Sequence, residues 1–209
     1  MTVLVDLGIG NLHSARKAFA RVAEETGAGP VAVTTDPEAV RRADRVVLPG
    51  DGAFRACMGA LDALPEMREA LEEARGRGAP ILGICVGMQM LARVGHEHGA
   101  TPGLGWIGGE VVRIEPGPGL KVPHMGWNDL RVRRAHPLLE GVRDGDHAYF
   151  VHSWRFAADD AGDVLAEADH GGPVAAVVGR DSVAGTQFHP EKSQATGLRI
   201  VANFLAWRP

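Results

Sequence analysis

The stretch PILGICVGMQML, residues 80–91, decides how the chain is read. A short apolar run, long enough for one buried strand, ends in Cys85, with glycines two places before and two places after it. Burial as an inert thiol is the commonest fate of a free cysteine. This one has a second reading. If 80–84 is a buried strand and VGMQMLARV begins a helix, Cys85 stands on the turn between them. That turn lies at the carboxyl edge of the sheet, where open α/β folds bind ligands. Gly83 and Gly87 clear side chains from both flanks, the spacing of a nucleophile elbow with Cys in place of Ser. A helix N-terminus there would favour thiolate, and the Val86 N–H would be placed to donate to an oxyanion.

Working outward, the first half alternates strand and helix. TVLVDL (2–7) reads as a buried parallel strand, PVAVTT (30–35) as the next strand, DRVVLPG (44–50) as a third that ends in a turn, and PILGI (80–84) as the fourth. Between them, 11–27 places Leu12, Ala15, Ala18, Phe19, Val22 and Ala23 at helical spacing and closes at Gly27. Asp36 and Pro37 suit the N-cap and first turn of a short helix, and 65–78 is amphipathic. This order predicts an α/β fold with a largely parallel central sheet and flanking helices. In the second half, GEVVRIE, HAYFVHSW, PVAAVVG and SVAGTQF are short runs punctuated by Gly and Pro. They predict antiparallel or mixed strands added to the same sheet, closed by a helix over 193–207. No repeat, low-complexity tract or linker divides the chain, so residues 1–209 are expected to form one domain.

Composition narrows the classes. With 209 residues the chain can bury a core without disulfides, and two cysteines, Cys57 and Cys85, make no secreted-type framework. The first residues lack a basic, apolar leader, and no run approaches the roughly 20 apolar residues of a membrane span. A cytoplasmic protein is expected. The net charge of −4, with no sustained basic run or RNA-type aromatic motif, argues against nucleic acid. The basic cluster RVRRAH (131–136) reads as a solvated loop.

A cysteine nucleophile needs a base and a group to orient that base. TQFHPEKS (186–193) offers both. His189 precedes Pro190 and is pushed toward extended backbone, where residues i and i+2 share a face, so His189 and Glu191 can point the same way. One imidazole nitrogen would then meet the carboxylate and the other the thiol.

GICVGMQ with FHPEKS resembles the triad-type class I glutamine amidotransferases, which have a flavodoxin-like fold. DLGIGNLHS (6–14), LPGDGAF (48–54), KVPHMGWN (121–128) and YFVHSW (149–154) extend the resemblance along the chain. GIGN and KVPHMGWN resemble the branch that serves as glutaminase of imidazole glycerol phosphate synthase, in histidine biosynthesis. The resemblance implies a catalytic triad of Cys85, His189 and Glu191 and hydrolysis of glutamine to glutamate and ammonia. It implies an oxyanion hole from the backbone of Gly50, Asp51, Gly52 and Val86. Asp51 stands where relatives often have valine, so its carboxylate is expected to point away from the oxyanion. Gln89, one turn after Cys85, Glu97, Tyr149, His152 and Ser153 are implied to bind glutamine. Asn11, Trp127 and Lys192 are implied to surround the mouth facing a (β/α)₈-barrel cyclase, the heterodimer partner that would use the ammonia to make imidazole glycerol phosphate and AICAR. No cofactor is implied. GHEHG (95–99) offers two histidines without a clear third ligand, so no metal is expected.

Three rivals stand beside this reading. One is the glutaminase of another amidotransferase, which would share the triad. A nucleotide-binding module is suggested by GIGNLH (8–13), though His13 occupies the place of its third glycine. A non-catalytic regulator of the same fold is opposed by the presence of Cys85, His189 and Glu191.

Overall fold

The computed structural model describes residues 1–10 and 12–209; the expectation placed on Asn11 lies outside them. The chain runs β1 (Thr2–Val5), α1 (Leu12–Thr26), β2 (Val31–Thr34), α2 (Pro37–Arg42), β3 (Arg45–Gly50), α3 (Phe54–Asp62), α4 (Met67–Gly76) and β4 (Ile81–Cys85). It continues through α5 (Val86–Gln89), β5 (Val94–Gly95), β6 (Thr101–Pro102), β7 (Gly109–Arg113), β8 (His124–Asp129) and β9 (Arg131–Val132). It closes with β10 (His147–His152), β11 (Trp154–Ala158), β12 (Val164–Asp169), β13 (Pro173–Arg180), β14 (Val183–Thr186) and α6 (Gln194–Ala206).

The central sheet has the order β2-β1-β3-β4-β14-β13-β12-β9. The first five strands are parallel, in the succession of a flavodoxin-like sheet, with β14 in the fifth place. Every residue of β1, β4 and β14 is buried, as continuous apolar runs covered on both faces require. One helix group packs α1 on α6, with Phe19 edge-on to Phe204 at 6.1 Å between ring centroids; α2, α3 and α4 form another group, and α3 also meets α5. Asp36 caps α2 as expected, its side chain accepting from the Glu38 N–H at 2.9 Å.

Three expectations need correction. Strands β13 and β14 join the central sheet, but GEVVRIE and HAYFVHSW do not. They build two smaller sheets, β10-β8 and β11-β7-β5-β6, because β10 and β11 find antiparallel partners in β8 and β7. The helix after Cys85 is a single turn. The carbonyls of Met90, Leu91 and Ala92 accept from the N–H groups of residues 104–107, so they are not free to extend it. The basic cluster 131–136 is not a plain loop. Its first two residues form β9, the edge strand of the central sheet, and Arg133 pairs with Glu167 at 2.6 Å. Charge on an edge strand opposes pairing with another chain.

Candidate active site

The carboxyl ends of β3, β4 and β14 converge on Cys85. Gly50 at the end of β3 is in register with Cys85, and Thr186 at the end of β14 with Ile84. Cys85 has φ 55° and ψ −111°, a backbone that L residues seldom adopt. The glycines make this turn possible by close approach. A Cβ on Gly87 would lie 1.8 Å from the Leu48 carbonyl oxygen, and one on Gly83 would lie 2.4 Å from that of Gly87. Val86 and Gly87 therefore pass directly over the end of β3.

His189 follows β14 with extended backbone, φ −93° and ψ 104°. Glu191 lies not in an extended segment, as the sequence suggested, but in a 3₁₀ turn, Pro190–Lys192. The pairing is made all the same: His189 Nδ1–H donates to Glu191 Oε1 at 2.8 Å, and both side chains are buried. The His189 backbone is held by its own N–H donating to the Tyr149 carbonyl at 3.1 Å and by the Ser193 hydroxyl donating to its carbonyl at 2.7 Å. Its Nε2 is buried and has no hydrogen-bond partner among the described residues. Burial, the largest single influence on this imidazole, pushes its pKa down. The neighbouring Cys85 sulfur and the Glu191 carboxylate together outweigh it and hold the pKa up at about 9. Cys57 is different: its buried thiol donates to the Asp51 carbonyl at 3.2 Å, and burial pushes its pKa up to about 11.

Beside Cys85 opens a cavity of about 210 Å³, lined by Asp51, Gly52, Cys85, Val86, Gln89, Glu97, Pro123, Val151, His152, Ser153 and Trp154. Of the residues expected to bind substrate, Gln89, Glu97, His152 and Ser153 line it. Tyr149 does not; its ring lies edge-on to Trp127 at 5.8 Å, across the β8–β10 pair. Glu97 also accepts from the Phe54 N–H at 2.8 Å, which caps α3 where its own N-cap, Ala53, has no side chain to do so. Gln89 is tied in place, its Nε2 donating to the Trp154 carbonyl and to Gln187 Oε1, each at 3.0 Å.

The oxyanion expectation is changed at Gly52, whose N–H donates at 2.8 Å to Asp51 Oδ1 and so is already engaged. The Asp51 side chain lies against the turn after β1, where a Cβ on Gly10 would come within 2.5 Å of the Asp51 Cβ. Lys192 is exposed and borders a narrow cleft that it shares with Gly10, Gly50, Asp51, His189 and Glu191. Trp127 is 48% exposed and Met125 61%.

The sequence reading passed over Gln187, Ser193 and His124. Gln187 is wholly buried, and its Nε2 donates to Cys85 Sγ at 3.8 Å. The i, i+2 rule applied to His189 and Glu191 would have found it, since Gln187 and His189 are two apart. His124 is buried beside His152, with 2.9 Å between Nδ1 and Nε2. At GHEHG, His96 bonds Glu110 at 2.8 Å, and among the described residues no three His, Cys, Asp or Glu side chains gather to hold a metal.

A strained cysteine at a strand end beside a paired histidine and glutamate and a small polar cavity, on a flavodoxin-like sheet, has the parts of a thiol nucleophile for acyl transfer. The family model "Glutamine amidotransferase class-I" matches residues 3–207, and the chain belongs to this family. It is 63% identical over 211 residues to the imidazole glycerol phosphate synthase subunit HisH of Cereibacter sphaeroides, with 100% of both chains covered. To the HisH subunit of Ruegeria pomeroyi it is 58% identical, again over 100% of both. Solved structures share the fold. One titled as a glutamine amidotransferase has a TM-score of 0.73 at 19% identity, covering 99% of each chain. The PurLQS structure from Thermotoga maritima has a TM-score of 0.71 at 21% identity, covering 98% of this chain and 97% of that one.

Proposed function

We propose that the chain is the glutaminase of an imidazole glycerol phosphate synthase, with Cys85, His189 and Glu191 as its triad. The observation that carries this reading is the His189–Glu191 pair at 2.8 Å beside a cysteine held at φ 55° at the head of the cavity. With its pKa held up at about 9, the His189 imidazole carries its proton at neutral pH. The sulfur attacks the side-chain amide carbon of glutamine, and His189 gives its proton to the departing ammonia. Water then attacks the thioester, with the neutral imidazole taking its proton, and glutamate leaves. Glu191 holds Nδ1–H and so aims Nε2 at the sulfur. The Val86 amide and the Asp51 and Gly50 backbone are assigned to the tetrahedral oxygen. Glu97 faces the cavity with a carboxylate suited to an α-ammonium group.

The relatives are named as subunits of a synthase, and a partner follows for this chain. We assign it a (β/α)₈-barrel cyclase that receives the ammonia in the making of imidazole glycerol phosphate and AICAR, as a heterodimer in the cytoplasm. Two features support an interface. Met125 and Trp127 project from one face of β8 and are exposed, and Lys192 borders the cleft behind the triad. One continuous core supports reading residues 1–209 as one domain, and among the described residues no helix is long and apolar enough to cross a membrane. The test is glutamate release from glutamine by the chain with its cyclase. Cys85→Ala should abolish release while the far-ultraviolet circular dichroism stays unchanged, and a glutamine-like electrophile should label Cys85 and spare Cys57. Release that survives Cys85→Ala would overturn the proposal.

A further inference from the structure

Gln187 belongs to no role assigned above, yet it is wholly buried and touches the sulfur. Which end of its amide faces Cys85 is fixed by one backbone atom. The Trp154 carbonyl can only accept, so the Gln89 atom 3.0 Å from it must be the donor Nε2. That same nitrogen lies 3.0 Å from the near atom of Gln187, which must then be the oxygen. The far atom of Gln187, 3.8 Å from Sγ, is therefore the NH₂ group. A rotated amide at either residue would set two donors or two acceptors against each other.

We propose that Gln187 is a further catalytic residue, presenting an N–H to the Cys85 sulfur and stabilising it as thiolate. The proposal rests on Cys85 being the nucleophile. A donor held on a rigid relay favours the anion over the neutral thiol, because a charged acceptor strengthens the bond. Gln187 and His189 both come from the chain just after β14, two residues apart, with the Gln187 backbone N–H bonded to the Ala176 carbonyl. Unlike His189, the amide cannot give up its proton, so its effect persists across the pH range in which the imidazole titrates. Gln187 is not among the residues that line the cavity, so substrate affinity depends on it little.

The test reads the thiolate directly, without glutamine. In the complete chain, the rate of Cys85 alkylation by iodoacetamide is followed against pH by mass spectrometry of the Cys85 peptide. Gln187→Met, close in volume and without donors, should move the midpoint upward by about one pH unit. In the complex with the cyclase, kcat should fall about tenfold with KM for glutamine changed less than twofold. A midpoint equal to that of the unsubstituted chain would overturn the proposal. Should Gln187→Met fail to fold, nuclear magnetic resonance of the unsubstituted chain carries the test. The Gln187 side-chain amide proton should move downfield through the alkylation midpoint, and Cys85→Ser should remove that step. A resonance that does not respond would overturn it. These readouts separate the proposal from the function itself: a chain without glutaminase activity can still show, or fail to show, the shift.

Discussion

At the scale of the residue, His189 is the group on which opposed forces are most evenly set. Burial disfavours its charge, and the Cys85 sulfur and the Glu191 carboxylate restore it, to a pKa of about 9 against an ordinary 6.5. Replacing Glu191 by Gln removes the carboxylate charge and lets an amide NH₂ face Nδ1, which favours the wrong tautomer of the ring. Turnover of glutamine by Glu191→Gln should fall by about 10²- to 10⁴-fold, as when an orienting carboxylate is lost in other triads. The stability consequence has a sign. A raised pKa means the folded state holds the proton more tightly than the unfolded chain. This contribution is complete below about pH 6.5 and is lost as pH rises through about 9. The stability gap between the unsubstituted chain and Glu191→Gln should therefore be widest in mild acid and shrink above pH 9, as read by denaturant titration.

The histidines of the β8–β10 pair behave in the opposite sense. His152 Nδ1–H donates to the Trp154 carbonyl at 2.8 Å, so its Nε2 accepts from His124 Nδ1–H, and His124 Nε2 accepts from the Asn128 amide at 3.0 Å. Both rings are thus held neutral. Burial lowers the pKa of His124 to about 3 and of His152 to about 4. The unfolded chain binds these protons first, so stability present above about pH 6.5 declines as pH falls toward 4. Each histidine should contribute a slope of about 1.4 kcal/mol per pH unit in that window. His124→Gln should lower the total slope by one such increment, measured by denaturant titration between pH 7 and pH 4.5.

At the scale of the element, glycines at the elbow differ sharply from glycines elsewhere. Gly87→Ala would drive a methyl into the Leu48 carbonyl and should destabilise the fold by about 3 kcal/mol or more. Gly59, inside α3, has open space around its would-be Cβ, and Gly59→Ala should stabilise by about 0.5–1 kcal/mol. Thermal melts of the two variants check both signs. Local signals explain which elements the sequence revealed. The four parallel strands of the first half are unbroken apolar runs, and α1 and α4 carry a clear helical period. Helix α3 went unread because AFRACMGAL mixes small residues with a glycine, and its N-terminal donor is satisfied by Glu97, 43 residues away. The assignment of β7, β10 and β11 to separate small sheets was equally hidden. Alternation marks a strand but does not say which partner it will find.

At the scale of the whole molecule, the proposed triad was legible because Cys85 and the His189–Glu191 pair each sit in a short motif, and the structure brings the pair together at 2.8 Å. The relay behind it was not, because its pivot, the Trp154 carbonyl, is a backbone atom with no signature in any side chain. The exposed Met125 and Trp127 and the cleft at Lys192 lie on different elements, and no local pattern in the sequence links them. On the proposed function, glutamine hydrolysis by the free chain should be slow and should rise when the cyclase binds its nucleotide substrate. Such a rise requires the ligand to favour one state of this chain by differential binding. Lys192→Ala should weaken that stimulation more than the basal rate, measured as glutamate release with and without the cyclase's ligand.

The backbone of Cys85 has one further consequence. At φ 55° and ψ −111° a residue with a Cβ is strained by about 1–3 kcal/mol, whereas glycine accepts positive φ freely. Cys85→Gly should thus melt at a higher temperature than Cys85→Ala, although glycine fills less space. On the proposed function, the position most needed for turnover is one where the fold alone would choose another residue. Stability and chemistry pull this site in opposite directions, and a lineage released from the need for ammonia would be expected to lose the cysteine first.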